Sequence, residues 1–359
     1  MHNIHYGDIL IKYSSIIDVE SDDIPSIAHG KESKRTTYLR DGDVIIADTA
    51  EDETVGKCCE IININDSKVE SGLHTIPCRP LDSFVPMFLG YYMNSQYYHK
   101  QLFPLMQGVK VLSISKSNIG KTQLSAPSSH FEQKKIVGML HLIDKRISKQ
   151  QQIIEVLKKY KRGLLNHYFS DENTQHWTLY TISQVGKVVT GSTPPTSDRS
   201  NYDGDLLFCS PGDVGREKYI SSTEKRVSPK GFSLGRPIPP NSVIVTCIGL
   251  IGKLGIAATD MITNQQINAL VVSQNFEHEF IYYALENFFP EYRSKVAMQT
   301  LPILSKSEFE KLMIKAPPID VQHRISTHLS IMDRRIEQAQ QEINLICEHR
   351  KGAMQQLFI

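Results

Sequence analysis

The sequence predicts an α+β protein in which two mixed α/β domains alternate with two long helices that pair as an antiparallel coiled coil. Two observations carry this prediction. The chain repeats itself at about half its length, and each copy ends in a sustained heptad pattern of apolar residues. The period is much longer than that of solenoid repeats, so we expect a duplicated domain with a helical tail.

The repeat is clearest where ISKSNIGKTQLSAPSSHFEQKKI, near the middle, reappears as LSKSEFEKLMIKAPPIDVQHRI near the C-terminus. The two copies keep one register well beyond these stretches, apart from one residue lost in the loop that contains Ala-Pro. The matched pairs are Phe88 with Phe280, Tyr91 with Tyr283, Met106 with Met298, Gln107 with Gln299, Lys116 with Lys306, Lys121 with Lys311, Gln133 with Gln322, Asp144 with Asp333 and Phe169 with Phe358. A register this long indicates duplication.

The boundaries of the domains follow from the two copies. The first domain takes residues 1–129 and its long helix takes residues 130–169, and a polar linker follows at 170–176. The second domain takes residues 177–318, and its long helix takes residues 319–359. An Ala-Pro loop marks the start of each helix, because proline disfavours helical backbone at the residue before it.

Each long helix has an apolar seam that steps by four and three residues. The seam residues are Ile136, Leu140, Ile143, Ile147, Ile154, Leu157 and Leu164 in the first helix, and Ile325, Leu329, Met332, Ile336, Ile343, Ile346 and Leu357 in the second. Lys161 and Arg350 take equivalent seam positions. The simpler interpretation is that both extend into solvent. The alternative is that they help to set the register of the helix pair.

The two domains should contain corresponding buried strands at residues 43–47 and 242–246. Upstream of these strands, Gly7-Asp8 matches Gly212-Asp213. This match leaves Trp177–Phe208 of the second copy without a counterpart, so we expect the first copy to lack about thirty residues of lead-in.

Composition and charge exclude several classes of protein. The net charge is +1, which argues against a wholesale polyanion coat but leaves local basic patches open. No apolar run is long enough to span a membrane, and the N-terminus has no signal-peptide pattern. The six cysteines show no CxxC spacing, which is typical of a reduced, cytoplasmic protein without a zinc site.

Sequence motifs for catalysis are missing as well. No GxGxxG follows a strand and no P-loop occurs, so neither a nucleotide cofactor nor ATP has a recognisable cradle. The nearest approaches to the Asn/Asp-Pro-Pro-aromatic motif of adenine methyltransferases are Thr193–Thr196 and Ala316–Ile319, which both lack the two end residues. Asp22 and Asp23 with Glu32-Ser33-Lys34 imitate a nuclease site, but a solvated surface is the simpler interpretation.

The duplicated order of motifs resembles the DNA-specificity subunit of type I restriction–modification systems. The similar stretches are NIHYGDI, LSISKSNIGK and FEQKKIVGMLHLIDKRISKQ in the first half, and VVTGSTP, NQQINAL, LSKSEFEKLMIKAPP and the final helix in the second. The resemblance implies that each domain is a target-recognition domain for one half of a bipartite, non-palindromic DNA target. It also implies that the paired helices act as a ruler for the unread spacer.

The resemblance implies partners too. The chain would bind double-stranded DNA, and two methyltransferase subunits would bring S-adenosylmethionine and modify adenine. Restriction and motor subunits, with ATP and Mg²⁺, would cut unmodified DNA. The chain itself would be no enzyme, with no catalytic residue, metal site or cofactor, and we expect no membrane partner.

Two alternatives stay open. The first is a partner-binding scaffold with degenerate DNA-recognition domains. The second is a self-sufficient nuclease or methyltransferase, which the missing motifs disfavour. The lead-in bears on the first alternative: if Trp177–Phe208 supplies a core strand and a base-contacting loop, the first domain lacks both and should read its half-site poorly.

Contacts with DNA are expected from loops, because base edges are read by Arg, Lys, Asn, Gln and hydroxyl side chains, and phosphates by Lys and Arg. The candidate residues are Lys12, Tyr13, Lys57 and His74 in the first copy, and Thr193, Ser197, Arg199, Arg216, Lys218, Lys253, Gln265 and Gln266 in the second. Further positive charge comes from Lys31, Lys34, Arg35, Lys225, Arg226, Lys230 and Arg236. For any single residue, ordinary solvated surface is the simpler interpretation, but the set outlines a DNA footprint.

Overall fold

A computed structural model describes residues 1–27, 38–296 and 302–358 of the chain. Its contacts divide the chain into two compact units. Unit 1 combines Met1–Gln152 with Gln340–Ile359, and unit 2 is the continuous stretch Ile153–Ala339. Each unit therefore contains a sheet-based domain and a segment of each long helix.

Unit 1 is built from short strands and short helices that precede its long helix. The strands are β1 (His2–Ile4), β2 (Ile16–Asp18), β3 (Val44–Ala47), β4 (Thr49–Ala50), β5 (Cys58–Ile62), β6 (Val69–Ser71), β7 (Thr75–Cys78) and β8 (Leu112–Ser113). The helices are α1 (Phe88–Met93), α2 (Gln96–His99), α3 (Lys116–Ile119) and the long helix α4 (His130–Tyr168), with a π-helical turn at Asp8–Lys12 and a 3₁₀ turn at Phe103–Leu105.

Among the described residues, unit 2 has more strands than unit 1 and a longer helix on its sheet. The strands are β9 (Thr178–Thr181), β10 (Gly186–Thr190), β11 (Tyr202–Cys209), β12 (Tyr219–Ile220), β13 (Lys225–Val227), β14 (Val243–Thr246), β15 (Leu254–Ala257), β16 (Met261–Thr263), β17 (Ile267–Val272) and β18 (Met313–Ala316). The helices are α5 (Ile182–Val185), α6 (Pro229–Leu234), α7 (His278–Val296), α8 (Lys306–Lys311) and the long helix α9 (Ile319–Leu357), with a 3₁₀ turn at Arg199–Asn201. The part of α4 from Ile153 onward belongs to unit 2, and the part of α9 from Gln340 onward belongs to unit 1.

The main sheets of the two units share one plan. The strand order is β2-β5-β3-β7 in unit 1 and β12-β15-β14-β17-β10 in unit 2. β3 is antiparallel to β5 and β7, as β14 is to β15 and β17. The strands predicted at 43–47 and 242–246 are confirmed as β3 and β14, and every residue of both strands is buried.

A second pair of strands supports the alignment of the two copies. β1 is parallel to β6, and the end of β11 is parallel to β16. The carboxylates of Asp8 and Asp213, which follow β1 and β11, accept a backbone N–H from three residues earlier. The donors are His5 at 2.9 Å and Ser210 at 2.8 Å. The match of Gly7-Asp8 with Gly212-Asp213 therefore agrees with the local geometry.

Two buried glutamines tie the start of each long helix to its domain. Gln133 accepts the Val85 N–H at 2.9 Å and donates to the Pro127 carbonyl oxygen at 2.8 Å. Gln322 makes the same two hydrogen bonds with the equivalent backbone groups of unit 2, at 3.0 and 2.8 Å. A buried amide needs partners for both its donor and its acceptor, so this arrangement fixes where each helix begins.

The segments of α4 and α9 in unit 1 are antiparallel. Asp144 of α4 lies 2.5 Å from Arg350 of α9. Gln150, further along α4, donates to Glu342, which comes earlier in α9, at 3.2 Å. The apolar residues of the predicted seam, including Ile136 and Leu140, are buried.

The segments in unit 2 run in the same antiparallel sense. Lys161 of α4 lies 2.7 Å from Asp333 of α9. Tyr168, about two turns beyond Lys161, lies 2.5 Å from His328. Predicted seam residues such as Ile154 are buried here too, as the coiled-coil pattern requires.

The interpretation that Lys161 and Arg350 extend into solvent is wrong. Their side chains are only 11% and 21% exposed, and each cation holds a carboxylate of the opposite helix. Both carboxylates also accept a hydrogen bond from a buried tyrosine: Asp144 from Tyr91 at 2.9 Å and Asp333 from Tyr283 at 2.5 Å. The repeated triad favours the alternative that these cations set the register of the helices.

Unit 2 contains three elements that unit 1 lacks within its described residues. β9 is antiparallel to β18, α5 follows it, and β10 extends the main sheet beyond β17. In the described part of unit 1, residues 123–126, which match β18, pair with no strand, and β7 is the last strand of its sheet.

Candidate nucleic-acid interface

Two loops of unit 2 meet where β10 and β17 pair. The antiparallel pairing places the loop after β10 beside the loop before β17. The Thr193 hydroxyl donates to the amide oxygen of Gln265 at 2.5 Å and joins the two loops. We call residues 191–201 together with 264–266 the loop cluster. It contains the predicted residues Thr193, Ser197, Arg199, Gln265 and Gln266.

Gly191 allows the two loops to approach this closely. A Cβ atom at this position would lie 2.1 Å from the Asn264 carbonyl oxygen and 2.3 Å from the Thr263 carbonyl oxygen. The next residue, Ser192, donates its N–H to the same Thr263 carbonyl oxygen at 2.8 Å. A side chain at 191 would therefore push the loops apart and separate Thr193 from its partner.

Charged side chains hold the outer part of the loop cluster. Lys230 lies 2.7 Å from the Asp198 carboxylate and donates to the Ser200 hydroxyl at 2.9 Å. Hydrogen bonds from Lys230 and from Ser200 lower the pKa of Asp198 to about 2. Arg236 donates to the Thr190 carbonyl oxygen at 2.9 Å. Two residues predicted to supply positive charge therefore also position the loop.

The outer surface of the loop cluster suits contact with DNA. Its exposed residues include the predicted contacts Thr193, Ser197, Arg199 and Gln265, as well as Asp198, which pairs with Lys230. Arg199 shares a concave surface of about 610 Å³ with Lys225 and Arg226 of β13, and the acidic residues on it are Asp203 and Glu224. Guanidinium and ammonium groups suit phosphates, whereas the amide and hydroxyl groups can pair with base edges.

Three further predicted residues of unit 2 differ in their accessibility. Gln266 is partly buried and accepts a hydrogen bond from the Asn264 amide at 3.2 Å. Lys253 is partly buried, and its backbone N–H donates to the Thr246 hydroxyl at 3.0 Å. Arg216 is exposed but is not part of the loop cluster.

Three other predicted residues have their polar groups engaged inside their own unit. The Lys218 side chain is 8% exposed, and its ammonium group lies 2.5 Å from Glu279. Tyr13 is a core residue of unit 1. Lys57 donates to the carbonyl oxygens of Leu10 and Tyr13 at 2.9 and 2.8 Å, and burial lowers its pKa. We leave these three out of the proposed interface.

In unit 1, His74 takes the place of Gln266. The loop before β7 matches the loop before β17, because β7 pairs with β3 in the register in which β17 pairs with β14. The exposed imidazole of His74 lies 3.2 Å from the Asp48 carboxylate and packs edge-on against Tyr6, with ring centroids 5.5 Å apart. His74 therefore lies at the position equivalent to a candidate contact of unit 2, but an acidic residue lies beside it.

An acidic loop distinguishes the two units at this place. The connection between β3 and β5 contains Asp48, Glu51, Asp52 and Glu53, whereas the equivalent connection in unit 2 reads CIGLI. The Asp48 N–H donates to the His74 carbonyl oxygen at 3.1 Å, so the acidic loop lies beside the candidate contact. Carboxylates repel phosphates. Our sequence reasoning missed this loop, although its signal, DTAEDETV between matched strands, was visible.

The remaining predicted cations of unit 1 add little to this surface. The ammonium group of Lys12 is partly exposed and lies 2.9 Å from the Asp23 carboxylate. Lys31, Lys34 and Arg35 lie outside the described residues, as does the Glu32-Ser33-Lys34 triplet.

The described residues contain neither a metal-binding cluster nor a membrane-spanning helix. Within residues 1–27, 38–296 and 302–358, no group of three or more His, Cys, Asp or Glu side chains could hold a metal ion. The helices in that part of the chain are also too short or too polar to cross a membrane.

The part of the chain that contains the loop cluster matches a known family. Residues 174–347 match the model of the type I restriction modification DNA specificity domain. Over this stretch, which is just under half of the chain, the chain is similar to this specificity family. It is 28% identical over 177 residues to the type I restriction enzyme MjaIX specificity subunit of Methanocaldococcus jannaschii. That match covers 47% of this chain and 41% of the relative, so the chain spans less than half of that relative's length.

Two solved structures share the fold of this chain. One comes from work on complex assembly and conformational transition of the type I R-M system, with a TM-score of 0.62 and 17% identity. The match covers 99% of this chain and 90% of the other. The other is the type I S subunit from M. genitalium, with a TM-score of 0.58, 14% identity and coverage of 97% and 89%. At these identities the likeness shows the fold, and it extends over both units.

Proposed function

We propose that this chain is the DNA-binding specificity subunit of a type I restriction–modification complex and that it reads a bipartite, non-palindromic target. One observation carries the proposal: two units of one fold present different side chains at the same edge of their sheets. Unit 2 presents the loop cluster there, and unit 1 presents His74. Different hydrogen-bonding groups at equivalent places would read unrelated half-sites.

The two half-sites would be read unequally. Unit 2 combines exposed amide, hydroxyl and guanidinium groups, whereas unit 1 has acidic residues beside its candidate contact. Unit 2 would therefore supply most of the DNA affinity. For unit 1 alone, the same observation favours the second candidate function, a scaffold with a degenerate recognition domain.

The methyltransferase subunits would dock on the long helices. Ile153, Val156 and Tyr160 lie on one face of α4 within unit 2, and all three are exposed. A cluster of exposed apolar side chains on one helix face is typical of a protein contact. The chain would do no chemistry, and the partner subunits would bind S-adenosylmethionine, ATP and Mg²⁺.

Methylome sequencing tests the main proposal. The chain is expressed with methyltransferase subunits of its system in a host that lacks them, and methyladenine is mapped. We expect a split motif with unrelated halves and an unread spacer. A continuous or palindromic motif would contradict the proposal, and a motif with only one specified half would support the scaffold role of unit 1.

Substitutions in the loop cluster test its part in that reading. Gln265→Ala should weaken binding to the mapped duplex by about 1–3 kcal/mol, which is about 5-fold to 150-fold, and relax specificity in one half-site only.

Arg199→Ala should weaken binding to all sequences and lower the slope of log affinity against log salt by about one. Arg324→Ala, an exposed arginine on α9, is the matched control and should leave binding unchanged.

A further inference from the structure

An apolar groove is open in unit 1 where unit 2 is filled. It has a volume of about 580 Å³ and lies between β7, α1 and the chain before α4. Its apolar lining includes Val44, Cys78, Phe84, Leu89, Ile119 and Leu124. All of these residues belong to unit 1.

Every one of these six lining positions is a core position in unit 2. By the strand register and the matched repeat, the counterparts are Val243, Leu270, Phe276, Ile281, Phe309 and Ile314, which all pack in one core. Val44, Leu89 and Ile119 are buried in unit 1 too, so the difference in burial lies at Cys78 and, most of all, at the chain before each long helix. Leu124 is 48% exposed and its counterpart is 5% exposed. The groove is therefore an unfilled part of the shared fold.

In unit 2 this space is filled by β9, α5 and β10. Ile182, Val185 and Val188 from these elements are buried in the same core. The ring of Tyr180 packs edge-on against Phe276, with centroids 5.0 Å apart. The filling is thus a strand, one helical turn and a second strand, with apolar residues at fixed places.

The backbone beside the groove also lacks the strand pairing that the equivalent backbone of unit 2 makes. β9 pairs with all four residues of β18, and β10 pairs with β17 from Gly186 to Thr190. In unit 1, within its described residues, 123–126 and the outer edge of β7 have no strand beside them. A segment in the groove would satisfy both edges.

We propose that the groove of unit 1 binds a strand–helical turn–strand segment with the pattern of residues 178–190, joined to this chain ahead of Met1. The connection in unit 2 favours this source. There the segment continues through residues 191–206 into the end of β11, which matches β1. An occupant of the groove would therefore end where β1 begins, as a segment of the same polypeptide does.

Cys78 provides a direct measurement, because it lines the groove and is partly buried. The full chain carries Cys347→Ser, which removes an exposed thiol, and alkylation of Cys78 is followed by mass spectrometry. A synthetic peptide of residues 176–191 at ten times its Kd should slow this alkylation about tenfold, because only the unoccupied fraction reacts. The same peptide with Ile182→Asp and Val185→Asp should give no protection.

Variants of the chain locate the binding site. Leu124→Asp, at a half-exposed position in the groove, should abolish the protection by the peptide. Leu234→Asp, at a similarly exposed leucine of unit 2, should leave the protection unchanged. Equal alkylation with both peptides, or protection that survives Leu124→Asp, would overturn the proposal.

A fusion tests the source of the segment. Residues 176–206 are joined ahead of His2, and the control fusion carries the two aspartates. We expect Cys78 to be protected without added peptide in the first fusion only. If the free peptide protects Cys78 but the fused segment does not, the proposal that the occupant belongs to the same polypeptide is wrong. No DNA is present in these measurements, so their outcome is independent of the proposed DNA reading.

Discussion

Glu60 is a buried carboxyl group that couples the stability of unit 1 to pH. Its carboxylate accepts the N–H groups of Met87 and Gly90, at 2.6 and 2.9 Å, at the start of α1. The residue is 2% exposed, and burial raises its pKa to about 7 in spite of these hydrogen bonds. The folded state therefore holds the proton more tightly than the unfolded chain does.

Stability from this protonated carboxyl should be fully present below the unfolded pKa of 4.5 and lost as pH rises through about 7. The shift corresponds to about 3 kcal/mol of unfolding free energy. Glu60→Gln should therefore flatten the dependence of unit 1 stability on pH between about pH 5 and 8. Urea unfolding at each pH measures this, with exposed Glu155→Gln as control. An unchanged slope in Glu60→Gln would contradict the assignment.

Lys161 should contribute far more to stability than its neighbour Lys158. Burial lowers the pKa of Lys161, but Glu286 and Asp333 outweigh this effect and raise it, so the ammonium group stays charged. Lys161→Met would remove the nearest cation from two partly buried carboxylates, Glu286 and Asp333, and should cost about 3–5 kcal/mol in urea unfolding. Lys158→Met breaks only an exposed pair and should cost less than about 1 kcal/mol. Equal losses of unfolding free energy in the two variants would show that the buried ion pair stabilises the fold no more than the exposed pair does.

The sequence predicted which residues have the chemistry to contact DNA, but it did not predict which of them lie together on an accessible surface. Thr193, Gln265 and Arg199 were found because their loops and chemistry are visible in the sequence. Lys218 was predicted by the same reasoning, yet it is buried because its partner Glu279 lies sixty-one residues further along the chain. Pairing at such separations cannot be inferred from local pattern, so the accessible part of the footprint required the fold.

The long helices were predicted closely because a heptad seam is a local signal. Helix boundaries at 130–169 and 319–359 compare with His130–Tyr168 and Ile319–Leu357 in the structure. The short strands were not predicted, because strands of two or three residues depend on partners elsewhere. β1, for example, exists through its pairing with β6 some sixty-seven residues later.

The exposed face of α4 offers a test of partner docking. Val156→Asp places a charge within the apolar face formed with Ile153 and Tyr160, and it should weaken co-purification of the methyltransferase subunit about tenfold or more. Gln151→Asp adds the same charge on another flank of α4, at 100° per residue, and should have no effect. DNA binding by the chain alone should be equal in both variants. Unimpaired co-purification of Val156→Asp would place the docking surface elsewhere.

The proposed ruler can be tested by lengthening both helices of the molecule together. A matched heptad inserted after Gln150 and after Ala339 preserves the phase of the apolar seam. It lengthens each helix by about 10 Å, which is roughly three base pairs at 3.4 Å each. Binding to duplexes of graded spacer should then shift to the longer spacer at reduced affinity, because three base pairs add about 100° of twist, or be lost. An unchanged spacer preference in a folded variant would contradict the ruler.

The duplicated plan of the molecule was predictable, because a register held over two copies is visible without a structure. The division of the two long helices between the units was not predictable from the sequence. Each unit takes parts of both long helices, since antiparallel pairing brings the beginning of α4 to the end of α9. The acidic loop and the open groove of unit 1 also required a comparison of the two units in space.

The division of the chain also sets the order in which its parts can fold during synthesis. Unit 2 is continuous, so all of its residues have been made once Ala339 is added. The core of unit 1 includes Ala353, Met354 and Phe358, and the Phe358 ring packs edge-on against Phe88, with centroids 6.0 Å apart. Unit 1 therefore cannot close until the last turns of α9 leave the ribosome, although its domain is made first. Until then its unfinished core is the part of the nascent chain most exposed to chaperones and proteases.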